Sequence, residues 1–267
     1  MNDGKSLFRD LILFFLLTFL ISWCLWFIPV LLGRSIPLLR IIGTFAPLFS
    51  ALVLSALKGR WSGPEGLREL LTPLLKWRVG IRWYLFAFFT TVLVAGVAIA
   101  VQIAIGGGKT LVWNDPAQLY LIVPVFLYVL FFSVAGEETG WRGFALPRLQ
   151  SALGPVKASL VVGFIWGIWH LPLFSMPGNF HQAIPFPLFV LQDVALAVVI
   201  TWLYNRTGGS LLLVHLFHAA SNTTLGVLPV LPMSTGGSVV PLYVSVGVLV
   251  LFALFLMFSP AFRRPQQ

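Results

Sequence analysis

The chain has 267 residues, of which 58% are hydrophobic and only 9% charged, where soluble domains are about 25% charged. With a mean hydropathy of +0.95, this excludes a soluble globular enzyme, a disordered chain and a secreted disulfide scaffold, and leaves a polytopic membrane protein. Lys and Arg outnumber Asp and Glu 17 to 8, but no basic run with interleaved aromatics accompanies the excess, so the expected partner is the lipid bilayer and not nucleic acid.

Crossing a ~30 Å hydrocarbon core takes about 20 residues. Eight apolar stretches approach that length: 11–32, 40–57, 81–105, 118–147, 156–175, 186–204, 210–228 and 239–260. The first is too long for a signal peptide and lacks a clear cleavage site, so it reads as a retained anchor. It holds Cys24, the single cysteine, which excludes an intramolecular disulfide and a Cys-based zinc site and reads as packing. Residues 58–80 carry Gly59, Gly63, Pro64, Gly66 and Pro73 among charges. They predict either a surface amphipathic helix over about 65–76 or a plain connecting loop. Residues 176–185 (MPGNFHQAIP) have the turn chemistry of an outer loop. With both termini cytoplasmic, 14 of the 17 Lys and Arg fall on inner segments and 3 (Arg34, Arg40 and Lys109) on outer ones. That asymmetry fits eight helices with N and C inside. No repeat is apparent, so residues 1–267 read as one all-α membrane domain.

Ionisable groups inside a span cost at least about 2.5–3.5 kcal/mol each at mid-depth, and three sets of polar residues interrupt the apolar stretches. The first is Glu137-Glu138-Thr139-Gly140-Trp141-Arg142. Glu138 and Arg142 are spaced i, i+4 with the acid on the favourable N-terminal side. Glu137 projects about 100° away and faces Trp141 at its own i+4. Two carboxyls in different surroundings suggest divided work, Glu137 for proton transfer and Glu138 for structure. The plainer reading is a solvated cytoplasmic loop. The second set is Trp166-Gly167-Ile168-Trp169-His170, and the third is His218-Ala219-Ala220-Ser221-Asn222, with His215 one turn earlier on the same stripe. Taken singly, each is as consistent with interhelical hydrogen bonding. Their depths argue for more. At ~1.5 Å per residue, Glu137, His170 and His218 rise about 16, 20 and 18 Å above Arg148, Lys157 and Arg206. If the fourth helix continues through its charged motif to about Pro147, all three sets share one level, in a water-filled cavity open to the cytoplasm.

A carboxylate able to activate water, a histidine to share the proton and a His/Asn pair able to donate hydrogen bonds are the parts an acyl-bond hydrolase needs. No G-x-S-x-G motif or credible cysteine nucleophile competes. A metal is the alternative: Glu137, His170 and His218 would make a His/His/carboxylate set for Zn²⁺, although the H-E-x-x-H spacing is absent.

In this order, E-E-x-x-x-R, a helix ending in His, and H-x-x-x-N resemble the CAAX protease and bacteriocin-processing family, also called the Abi or type II CAAX prenyl endopeptidase family. The resemblance covers a core from about 118 to 226. It implies that Glu137 and His170 activate water, that Glu138 and Arg142 orient the site, and that His218 and Asn222 stabilise an oxyanion. Trp166 stands where the family usually has Phe, a change expected to alter pocket shape and not chemistry. The family is catalogued as metalloproteases, yet a metal-free glutamate mechanism is also argued for it. The latter is the reading adopted, with no cofactor required. The implied substrate is a peptide or a prenylated protein C-terminus, cut by an integral-membrane endopeptidase near the cytoplasmic face. A non-proteolytic immunity or scaffold protein is the other reading, and a transporter, for which paired halves are lacking, the third. His181 matches no motif and is expected on the wrong side, in a structural role. His215 is expected to support the site from behind. Asp193, beside Gln192 in the sixth stretch, is unexplained by any motif, with pairing to a histidine or hydration of the cavity as its open readings.

Overall fold

The computed structural model describes residues 2–62, 65–113 and 120–263. The expected start of the core at 118, the glycine and proline at 63 and 64, and the side-chain charges of Lys5, Lys58, Arg60, Arg263 and Arg264 lie outside the described residues and side chains. What is described is helical, with turns and no strand. The helices are α1 (Asn2–Leu31), α2 (Pro37–Thr44), α3 (Ala46–Ser62), α4 (Glu65–Leu71), α5 (Ile81–Ala104), α6 (Ile122–Val129), α7 (Ala135–Gly140), α8 (Leu146–Trp169), α9 (Phe186–Arg206), α10 (Leu211–Val227), α11 (Val240–Phe258) and α12 (Pro260–Arg263).

Where described, every apolar stretch is mostly helical, but the stretches are not equal as spans. Among the described residues, six helical segments are long and apolar enough to cross a membrane. One of them, Ile122–Trp169, runs 48 residues because α6, α7 and the first part of α8 continue into the next stretch. Gly154 breaks α8, at φ 76° and ψ 167°, just before Pro155. Glycine adopts that positive φ without a Cβ penalty, so α8 holds the end of the fourth stretch and most of the fifth. The seventh stretch, α10, has only 17 residues.

The surface is apolar where lipid would lie: Leu16, Leu20, Leu93, Leu251 and Phe255 all face outward. Cys24 is exposed on the same outer surface, so it is not the packing residue the sequence suggested. The interior holds the polar groups, including Glu137, Glu138, Arg142, His170, Asp193 and His218. In lipid, helices associate through close packing and not through a hydrophobic drive, which favours small residues at contacts. Two Gly-x-x-x-Gly pairs supply them. A Cβ on Gly136 would come within 2.6 Å of the Thr44 carbonyl oxygen and 2.7 Å of Phe45 Cα, so α7 lies directly on the α2–α3 junction. A Cβ on Gly163 would come within 2.7 Å of Val194 Cα, and one on Gly167 within 3.1 Å of Val190 Cα, which brings α9 against α8.

The 58–80 segment contains α4 and a following 3₁₀ turn, Thr72–Leu75. The segment is therefore helical over a shorter range than 65–76. Its end docks on the α9–α10 turn, where Lys76 Nζ donates to the Gly208 carbonyl at 2.7 Å and Ser210 Oγ to the Lys76 carbonyl at 2.6 Å.

Candidate active site

The acidic motif sits on α7, a single six-residue segment between two π-turns, Leu130–Val134 and Trp141–Ala145. Each π-turn inserts an extra residue into the helical repeat, a distortion frequent at functional sites. The chain stays helical through the motif, as the shared-depth argument required. A solvated loop is excluded, because Glu137 is 3% exposed and Glu138 and Arg142 are fully buried.

The two carboxyls have different partners. Glu138 Oε1 accepts from Arg142 Nη1 at 2.7 Å and from His218 Nδ1 at 2.6 Å, so it joins the first motif to the third. Glu137 Oε1 accepts from Ser133 Oγ at 3.2 Å, and its Oε2 accepts from Trp166 Nε1 at 2.9 Å. His170 Nε2 lies 3.9 Å from that same Oε2, beyond direct hydrogen-bonding distance.

Trp166 therefore differs from phenylalanine in chemistry as well as in shape, contrary to expectation. Its N–H holds Glu137, its ring carries the Arg142 guanidinium at 4.3 Å, and it meets the His218 ring edge-on at 5.2 Å.

His170 is the residue at which α8 ends, in keeping with a motif helix ending in His, although the apolar stretch runs on to 175. Pro172 lacks an N–H and disfavours helical geometry in the residue before it, and a 3₁₀ turn, Leu171–Phe174, follows. Because a carbonyl only accepts, the 2.9 Å contact of His170 Nδ1 with the Trp166 carbonyl places a proton on Nδ1. The Nε2 lone pair is thereby turned toward Glu137. The end of α8 is pinned from α1: Trp23 Nε1 donates to the Trp169 carbonyl at 3.0 Å, and Trp169 Nε1 to Ser22 Oγ at 2.8 Å.

On α10, His218 donates from Nδ1 to Glu138, and its Nε2 meets the Asn222 amide nitrogen at 3.2 Å. Asn222 is only half-buried. His215 stands behind them, with Nδ1 donating to the Leu211 carbonyl at 2.7 Å and Nε2 lying 3.3 Å from Thr139 Oγ1.

His181 is not remote from the site. Loop 176–185 folds back over the end of α8, and the His181 ring stacks on His170 with centroids 5.7 Å apart and planes at 25°. Its Nδ1 donates to Asn179 Oδ1 at 2.6 Å. Burial pushes its pKa well below the ordinary histidine value, so the stacked ring is neutral. Asp193 on α9 also reaches the site, with Oδ2 3.5 Å from His170 Nδ1.

As for a metal, no three His, Cys, Asp or Glu side chains among the described residues are grouped to hold one. Both ring nitrogens of His218 are engaged by Glu138 and Asn222, so the Glu137/His170/His218 set does not fit a zinc site in this arrangement.

Fold and site together define an all-helical integral-membrane protein whose buried polar centre is built from Glu, His, Asn and Arg on α7, α8 and α10. Residues 118–224, which span that centre, match the family model described as Type II CAAX prenyl endopeptidase Rce1-like. The chain is also 27% identical over 233 residues to CAAX prenyl protease 2 of Methanococcus maripaludis, covering 82% of its own length and 84% of the relative's. The resemblance carried by the three motifs is borne out by both.

Proposed function

We propose that the chain is an integral-membrane endopeptidase of the CAAX type, acting on the C-terminus of a prenylated protein or a related peptide. The family match supports membrane peptidase activity. The single observation that carries the mechanism is the convergence of Glu137 and His170, from different helices, on a gap of 3.9 Å. That gap suits one water touching both groups at about 2.8 Å. Glu137 takes a proton from this water, and the hydroxide formed adds to the scissile carbonyl carbon. The oxyanion accepts from the Asn222 amide, which His218 holds in place and Glu138 and Arg142 hold in turn. Glu137, with His170 sharing the load, returns the proton to the departing nitrogen as the C–N bond breaks. The reading needs no metal.

Orientation belongs to the same proposal. Three of the groups counted to the inner side lie near one another: Lys76 is bonded to Gly208, and Arg82 and Arg206 lie over the Trp83 ring at 5.0 and 5.9 Å. The His181 loop covers the opposite end of α8. With the basic end cytoplasmic, the loop closes the outer side and the substrate enters from the cytoplasm.

The test is incubation of a farnesylated C-a-a-X peptide with the purified protein in detergent, with and without a chelator, and mass spectrometry of the products. Release of the last three residues in both lanes supports the reading. Cleavage abolished by chelator overturns the metal-free mechanism. An intact peptide in both lanes favours an immunity or scaffold role.

A further inference from the structure

A carboxylate inside a membrane span needs a reason, and the three motifs leave Asp193 without one. It is 2% exposed, and its Oδ2 makes no hydrogen bond. Its ion-pair contact among the described residues is His170 Nδ1 at 3.5 Å. That is the nitrogen that carries the proton on the evidence of the Trp166 carbonyl, on the ring edge facing away from the 3.9 Å approach of Nε2 to Glu137. The placement is built by packing. Gly163 and Gly167 leave room for the α9 backbone, and one turn before Asp193, Phe189 meets the same His170 ring edge-on at 5.0 Å. Thus α9 presents a wall and an acid, one turn apart, to one imidazole.

We infer that Asp193 is a positioning residue for His170. Its carboxylate, together with the Trp166 carbonyl, keeps the proton on Nδ1 and so aims the Nε2 lone pair at Glu137. It also balances the charge that appears when Nε2 accepts a proton during turnover. The inference rests on the peptidase reading for its kinetic arm only.

The test is Asp193→Asn, which keeps the shape and removes the charge. Cleavage is measured on a farnesylated peptide, and the His170 Nδ1 proton is followed by NMR in ¹⁵N-histidine-labelled protein in detergent. The expected kinetic result is a fall in kcat of roughly tenfold or more, since a positioned base supplies a factor of about 10²–10⁴, with KM unchanged and thermal stability equal or higher. The expected spectroscopic result is an upfield move of the Nδ1 proton. A merely structural Asp193 predicts unchanged kcat and an unmoved proton, and that pair of results overturns the inference. If no peptide is cleaved even by wild type, the peptidase reading fails while the NMR arm still decides whether Asp193 acts on His170.

Discussion

Trp166 touches Glu137, Arg142 and His218 at once, and its N–H is the test of that role. Trp166→Phe removes the donor to Glu137 Oε2 and keeps an aromatic wall for Arg142 and His218. A hydrogen bond to a charged partner is worth about 1.5–3 kcal/mol, so kcat is expected to fall roughly tenfold or more in a folded protein, read as turnover of a farnesylated peptide. Arg142 behaves differently, because it is fully buried against Glu138. Removing one partner of a buried pair costs about 3–5 kcal/mol. Arg142→Met is therefore expected to lose thermal stability in detergent, whereas Arg206→Met, at an exposed position, is not. At this scale the sequence was informative about identity and less so about contacts. The i, i+4 pairing of Glu138 with Arg142 followed from helical geometry, and the pair formed. That Trp166 would donate to Glu137, 29 positions away, depended on how α8 is rotated against α7, which spacing does not encode.

Among the elements, the glycine pairs decide where the acids and histidines meet. Gly163→Ala puts a methyl within 2.7 Å of Val194 Cα, an overpacking worth about 1–3 kcal/mol. It is expected to lower thermal stability and activity together as α9 moves off α8. Gly247→Ala in α11 meets nothing within 4 Å and is expected to be neutral or stabilising. Both Gly-x-x-x-Gly pairs were visible in the sequence and signal close helix approach. The π-turns were not visible, because they are backbone events with no residue signature here. Loop 176–185 has the turn structure its residues imply, but Met176, His181 and Ile184 are buried, so it folds inward over His170 and brings His181 to the site, which turn chemistry alone does not encode. Its acid sensitivity follows from the neutral His181. The folded pKa lies below the unfolded value of 6.5, so the unfolded chain binds the extra proton and stability falls as pH drops below about 6.5. Thermal unfolding is expected to show that loss between pH 7.5 and 5.5, and to show less of it in His181→Phe.

For the whole molecule, the helical stretches and the meeting of the three motifs were legible because lipid imposes both, whereas the number of spans was not, since two stretches share one 48-residue helical segment and α10 is short. Spans need length, and buried charges need one another. The 14-to-3 partition of Lys and Arg predicts which end faces the cytoplasm. In a chain with Cys24 replaced by Ser, an impermeant maleimide is expected to label Lys109→Cys in intact cells and Arg206→Cys only after permeabilisation. In the proposed mechanism Glu137, held by Ser133 and Trp166 and facing His170, is the base that activates water. Its most direct test is the turnover of a farnesylated C-a-a-X peptide by Glu137→Gln beside wild type, with thermal unfolding as the check on folding. A loss of about 10²-fold or more at unchanged thermal stability is the predicted result. Turnover by the variant at the wild-type rate would contradict it.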